Sequence, residues 1–188
     1  MRAGKAVAQQ NLRDAEPVDH RGALFYIMTN DKGRNNRLVT APVADPGRAK
    51  WTEVVPHRDD VMLEDFDLFQ GWTVLYERQD ALPRIQVSDA ALAGGYRIDF
   101  PEAIYSVGPQ NNRESDTNTL RIEYESFTTP PAVYDYDMAT KERKLLKQRE
   151  VLGGYDASRY TSERRYATAS DGTKVPISLV YKKGFVAD

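Results

Sequence analysis

Leu120-Arg121-Ile122-Glu123-Tyr124-Glu125 alternates apolar with charged side chains, which puts Leu120, Ile122 and Tyr124 on one face of a strand and Arg121, Glu123 and Glu125 on the other. A run of the same kind stands about 48 residues earlier, at Val74-Leu75-Tyr76-Glu77-Arg78-Gln79-Asp80. A third stands one step earlier again, at Phe25-Tyr26-Ile27-Met28-Thr29-Asn30-Asp31. Tyr76 and Tyr124 are 48 positions apart, and Asp31 and Asp80 are 49 apart. In the middle run Trp72, Val74 and Tyr76 share one face and Thr73, Leu75 and Glu77 the other. The repeat lies in spacing more than in letters.

Working outward, each run is followed by a turn and a second strand: Arg37–Thr40, Arg84–Val87 and Ala132–Tyr136. A further turn leads to a third: Trp51–Val55, Tyr96–Phe100 and Arg143–Leu146. Segments just before the runs, Met62–Phe69 and Ala103–Val107, supply an innermost strand for the second and third units. β-Branched and aromatic residues fill the strands, while Asp31-Lys32-Gly33, Asp45-Pro46-Gly47, Gly94-Gly95, Thr129-Pro130-Pro131 and Gly153-Gly154 break the chain between them. Nothing between the runs has helical periodicity. A fixed period of four short antiparallel strands predicts an all-β radial array, with each unit a blade of a β-propeller.

Composition excludes several functions. The chain has 188 residues, 40% hydrophobic and 29% charged, as expected of a soluble globular domain. No apolar run approaches the roughly 18 residues of a membrane span, so no membrane partner is expected. The N-terminus lacks the apolar stretch of a signal peptide, and the absence of cysteine removes disulfides, thiolate metal sites and a cysteine nucleophile, so a cytoplasmic location is expected. A net charge of −2 argues against a general nucleic-acid binder. The most basic stretch, Lys141 to Arg149, reads as the solvated side of an outer strand.

From about Val18 onward the sequence resembles the oligopeptidase B branch of the prolyl oligopeptidase family of serine peptidases. The residues that carry this are Asp19-His20-Arg21-Gly22, Asn36-Arg37-Leu38-Val39, Ala41-Pro42-Val43, Asp60-Val61-Met62-Leu63-Glu64-Asp65, Thr128 to Asp137, Ser162-Glu163-Arg164 and Ala169 to Tyr181. Residues 1 to about 15 do not fit that pattern. The resemblance implies a two-domain enzyme in which a seven-bladed propeller caps an α/β-hydrolase domain that cleaves short peptides after Arg or Lys. By this resemblance residues 1–19 are an N-terminal tail, 20–151 the last three four-stranded blades, and 152–188 an inter-domain linker and the first strands of the hydrolase domain. The chain then ends before the catalytic serine, aspartate and histidine. The expected partners are peptide substrates, through the full-length enzyme, and the hydrolase domain.

The serines agree: none of Ser88, Ser106, Ser115, Ser126, Ser158, Ser162, Ser170 and Ser178 lies in a Gly-x-Ser-x-Gly elbow. No catalytic residue, metal ligand or cofactor site is therefore assigned, and the chain by itself is predicted to be inactive. His20 beside Asp19 sits on a strand, where neighbours point to opposite faces and no activated nucleophile stands near. His57 with Asp59 and Asp60 reads as a solvated turn. Asp135 and Asp137 lack the glycine of a calcium loop and read as carboxylates flanking Tyr136. Asp171-Gly172 reads as a hairpin turn, and the glycine pairs at 94 and 153 lack a phosphate-cradling pattern. Tyr155, Tyr160, Glu163, Arg164 and Arg165 lie where the family crosses between domains and fit either an inter-domain hinge or a surface linker.

Two other readings stay open at this level. A free-standing propeller-type interaction scaffold would continue the repeat, whereas the repeat stops before Tyr155. A small ligand-binding β-sandwich or barrel would make the 48-residue period accidental.

Overall fold

The computed structural model describes residues 15–186. Strands β1 (Ala15–Arg21), β2 (Leu24–Thr29), β3 (Arg37–Pro42) and β4 (Thr52–Val55) form one antiparallel sheet in sequential order. Strands β5 (Val61–Leu68), β6 (Trp72–Gln79), β7 (Leu82–Asp89) and β8 (Tyr96–Arg97) form a second. Strands β9 (Tyr105–Pro109), β10 (Thr119–Ser126), β11 (Ala132–Asp137) and β12 (Arg143–Gln148) form a third, also in sequential order. A two-stranded hairpin follows, β13 (Tyr160–Thr168) with β14 (Lys174–Lys182). Among the described residues no helix is long and apolar enough to cross a membrane.

The chain divides into two compact units, one holding residues up to 79 with 84–97 and 114–118, the other holding 80–83, 98–113 and everything from 119. In the first unit β2, β3 and β6 are buried on both faces. Phe25, Ile27, Val39, Ala41 and Val18 make one cluster, with Trp51 against it. On the opposite face Tyr26, Met28, Leu38 and Val55 of the first sheet pack on Leu63, Phe66 and Leu75 of the second. Polar ties fix the register of that packing: the Leu63 N–H donates to the Asn35 carbonyl at 2.9 Å, and Asn36 Nδ2 donates to the Leu63 carbonyl at 2.7 Å. Asn36 takes the left-handed conformation (φ 58°) that an asparagine tolerates better than most residues.

In the second unit Leu120, Ile122 and Tyr124 are buried while Arg121, Glu123 and Glu125 are exposed, the alternation expected from the letters. Phe100 stacks on Tyr124 with centroids 5.1 Å apart, Tyr105 completes the cluster, and the Arg143 guanidinium lies 4.7 Å over the Phe100 ring. The β13–β14 hairpin turns at Asp171-Gly172: Asp171 Oδ1 accepts the Thr173 N–H at 2.9 Å, and Gly172 has φ 85°.

Two boundaries differ notably from the sequence reading. β1 starts at Ala15, inside the stretch assigned to a tail, because residues 15–21 have β2 as a ladder partner. The last strand of the second sheet, β8, shrinks from Tyr96–Phe100 to Tyr96–Arg97. There Ile98 turns inward to 3% exposure, and Phe100 is drawn into the Tyr124 stack ahead of Pro101, which has no N–H to offer a ladder. Three strands of the first two sheets, β2, β3 and β6, are buried on both faces, and β6 covers Thr73, Val74, Leu75, Tyr76 and Glu77 without a break.

Candidate functional site

β10 presents its second face to solvent, and that face is charged. Arg121 is neutralised across the ladder, its Nε and Nη2 reaching the two Asp135 oxygens at 2.7 and 3.0 Å. Glu123 accepts from Gln110 Nε2 at 2.7 Å. Glu125 stands opposite Ser106 in the register, and Glu123 opposite Gly108. Because Ser106 and Gly108 are small, a shallow groove runs over β9. One part, about 370 Å³, is lined by Ile104, Ser106, Glu125 and the half-exposed ring of Phe127. The next part, about 250 Å³, continues past Gly108 to Pro109 and Glu123.

Behind this groove the chain is fixed by a carboxylate. Glu102 accepts hydrogen bonds from the Tyr124, Ser126 and Thr129 hydroxyls. Burial by itself raises the Glu102 pKa, but the hydroxyl donors outweigh it and hold the carboxyl below its ordinary range. Burial and the adjacent carboxylate push the Tyr124 hydroxyl far above its ordinary value, so it stays a proton donor.

The first unit holds two further charged centres. Arg21, at the end of β1, donates from Nη1 to the carbonyls of Phe69 and Trp72 at 3.1 and 3.0 Å and to Thr73 Oγ1 at 3.0 Å. Its Nη2 reaches Tyr26 Oη at 2.8 Å and the Ala90 carbonyl. One guanidinium thus ties the first sheet to two turns of the second. Glu77, 1% exposed, accepts from Arg58 Nη2 at 2.5 Å and has Arg97 Nη2 at 3.6 Å. The letters gave a signal for neither role: both depend on residues brought together across sheets or loops.

The residues assigned to the hinge fall into separate contacts. Tyr155 and Tyr160 stack at 5.9 Å, Arg165 pairs with Glu163 at 2.9 Å, and Arg164 on the opposite face lies 5.3 Å over Tyr166. All five sit on the second unit's linker and hairpin. The weaker candidates take structural parts. Asp19 accepts the backbone N–H of His20 at 2.9 Å, which leaves the imidazole out of the contact. The His57 ring packs on Gly33 so closely that a Cβ there would stand 2.3 Å from Nε2, and its Nδ1 is 3.8 Å from Asp59. Asp137 closes the turn after β11 by accepting the Ala139 and Thr140 N–H groups at 2.8 and 2.9 Å. Among the described residues no three His, Cys, Asp or Glu side chains converge as a metal site.

The comparisons with known proteins agree with this architecture. The family described as "Prolyl oligopeptidase, N-terminal beta-propeller domain" matches residues 4–149. The chain is 44% identical to dipeptidyl aminopeptidase BI of Pseudoxanthomonas mexicana over 94% of its own length and 24% of that protein. It is 30% identical to protease 2 of Moraxella lacunata over 89% of its length and 24% of that protein. Among solved structures, oligopeptidase B of Trypanosoma brucei with covalently bound antipain superposes with a TM-score of 0.79 at 34% identity, covering 90% of this chain and 25% of that one. Oligopeptidase B of Leishmania major gives 0.78 at 34% identity, over 89% and 25%. The chain spans about a quarter of the length of the relatives it matches.

Proposed function

The chain belongs to the prolyl oligopeptidase family, and from that premise we propose that it is the non-catalytic propeller part of an oligopeptidase B-like serine endopeptidase that cleaves short peptides after Arg or Lys. The observation that carries the reading is the run of four-stranded antiparallel sheets over residues that match the family's propeller domain. In this reading the sheets are the last three blades, residues 152–188 lead into the hydrolase domain, and the propeller admits short or unfolded peptides while excluding folded proteins. Tyr155, Tyr160, Glu163, Arg164 and Arg165 form the hinge between the domains. The chemistry is acyl transfer by a serine, a histidine and an aspartate outside this chain, in the cytoplasm, with no cofactor.

One observation favours a second specificity: the relative with 44% identity is by name a dipeptidyl aminopeptidase. The test is to translate the reading frame past the codon for Asp188, express what it encodes, and assay it. Cleavage of internally placed Arg and Lys bonds in N-terminally blocked peptides supports the endopeptidase. Release of dipeptides from free N-termini alone supports the second reading. A frame with no Gly-x-Ser-x-Gly elbow sinks both and leaves the propeller-type scaffold.

A further inference from the structure

The groove over β9 has an open strand beside it. β9 pairs only with β10 among the described strands. The Ser126 N–H donates to the Thr129 carbonyl on the β11 side, and the Gln110 N–H donates to the Arg121 carbonyl on the β9 side, both at 3.0 Å. Alternation along an antiparallel ladder then turns the Val107 N–H and carbonyl away from β10, toward the open edge. Pro109 closes that edge, since it has no N–H to extend a pairing. A Cβ built on Gly108 meets nothing within 4 Å, so the face above the edge is open as well.

Next to β9 the charge on that face is negative, whereas Lys144 and Lys147 stand on its far side, on β12. Arg121 and Asp135 cancel each other, which leaves Glu123, held by neutral Gln110, and Glu125, which has no partner among the described residues. A strand added beside β9 would stand roughly 10 Å from β10, two interstrand spacings. Across the small Ser106 and Gly108 only a long side chain spans that gap to a β10 carboxylate.

We propose that the open edge of β9 binds a short extended peptide by strand addition, with an Arg or Lys of the peptide reaching over Ser106 to Glu125. The Phe127 ring, 52% exposed, covers the apolar stem of that side chain. This rests on the peptidase reading and deepens it: the strip selects basic peptides before any bond is cleaved. The same face could instead be covered by another sheet of a longer polypeptide or by a second copy of this chain, and the test separates these.

The experiment titrates this chain into fluorescein-labelled Ala-Arg-Ala-Arg-Ala and its Glu and norleucine counterparts at low salt, reading anisotropy. The basic peptide is expected to bind in preference to both. Glu125→Gln should weaken it about threefold to fivefold, the scale of a solvated ion pair. Gly108→Phe, which fills the groove without changing a charge, should abolish binding, and bound peptide should slow amide exchange at Val107. Equal binding of the three peptides, or no response to either substitution, overturns the proposal. So does a Val107 amide already protected without peptide in the longer protein, or a dimer that Gly108→Phe dissociates in a chain that binds no peptide. Failure of this kind leaves the peptidase reading intact, because that stands or falls on the frame beyond Asp188.

Discussion

Glu77 and Glu125 occupy the same position of the repeat, 48 residues apart, and have opposite fates. Glu77 on β6 is 1% exposed and held by Arg58, whereas Glu125 on β10 is exposed and unpaired among the described residues. Their neighbours follow them: Leu75 is 5% exposed, while Glu123, its counterpart, faces solvent. The lesson is that β6 is a core strand on both faces and β10 on one. A carboxylate tolerated as a solvated group in one sheet must be paired with arginine in another, since a buried charge without a partner is costly.

The largest effect that would break this contrast is expected at Leu75. Leu75→Ala should lower the free energy of unfolding by about 3 kcal/mol, as truncation in a packed core does. Denaturant unfolding measures it, and a loss under 1 kcal/mol would show that the second face of β6 is not core. Arg21→Ala comes next, at about 2 kcal/mol, because it leaves the carbonyls of Phe69, Trp72 and Ala90 without their donor. Arg21→Lys should recover only part of this, since an ammonium lacks the planar fork that reaches both turns.

A smaller change, about 1 kcal/mol at neutral pH after allowance for solvent screening, is expected for Glu102→Gln. Its folded-state pKa is depressed, so the stabilisation is present above the ordinary carboxylate range and is lost as pH falls through the folded value. Denaturant midpoints of the two proteins should therefore converge between neutral and acidic pH; a constant gap would mean that the carboxylate charge contributes nothing. The smallest effect is expected for Glu123→Leu, within about 0.5 kcal/mol, the range of solvated surface positions. A loss comparable to that of Leu75→Ala would erase the distinction between the two strands.

Much of this fold was legible in the letters. The alternation from Leu120 to Glu125 fixed which side of β10 is buried, and the spacing of the anchors placed the four-stranded units. That both faces of β6 are core was not legible, because period-2 alternation reports one buried face, and a strand apolar on both sides gives no contrast to read. The end of β8 was misread because Phe100 belongs by letter to a strand and by packing to the Tyr124 stack. The Asp137 and Asp171 turns were legible because each acts within a few residues of itself. The groove over β9 was not, since it depends on Ser106 and Gly108 standing opposite Glu125 and Glu123 across the ladder.

The sequence by itself determined the all-β class, the period of the units, the lack of cysteine and the lack of a nucleophile elbow, because these follow from side-chain type and local spacing. Tertiary structure alone decided which arginine meets which carboxylate or carbonyl: Arg21 reaches one turn about 50 residues away and another 69 away, and Arg58 finds Glu77 across a loop. Contacts at that separation depend on how sheets stack, and no local pattern of residues encodes the distance between two side chains that only folding brings together.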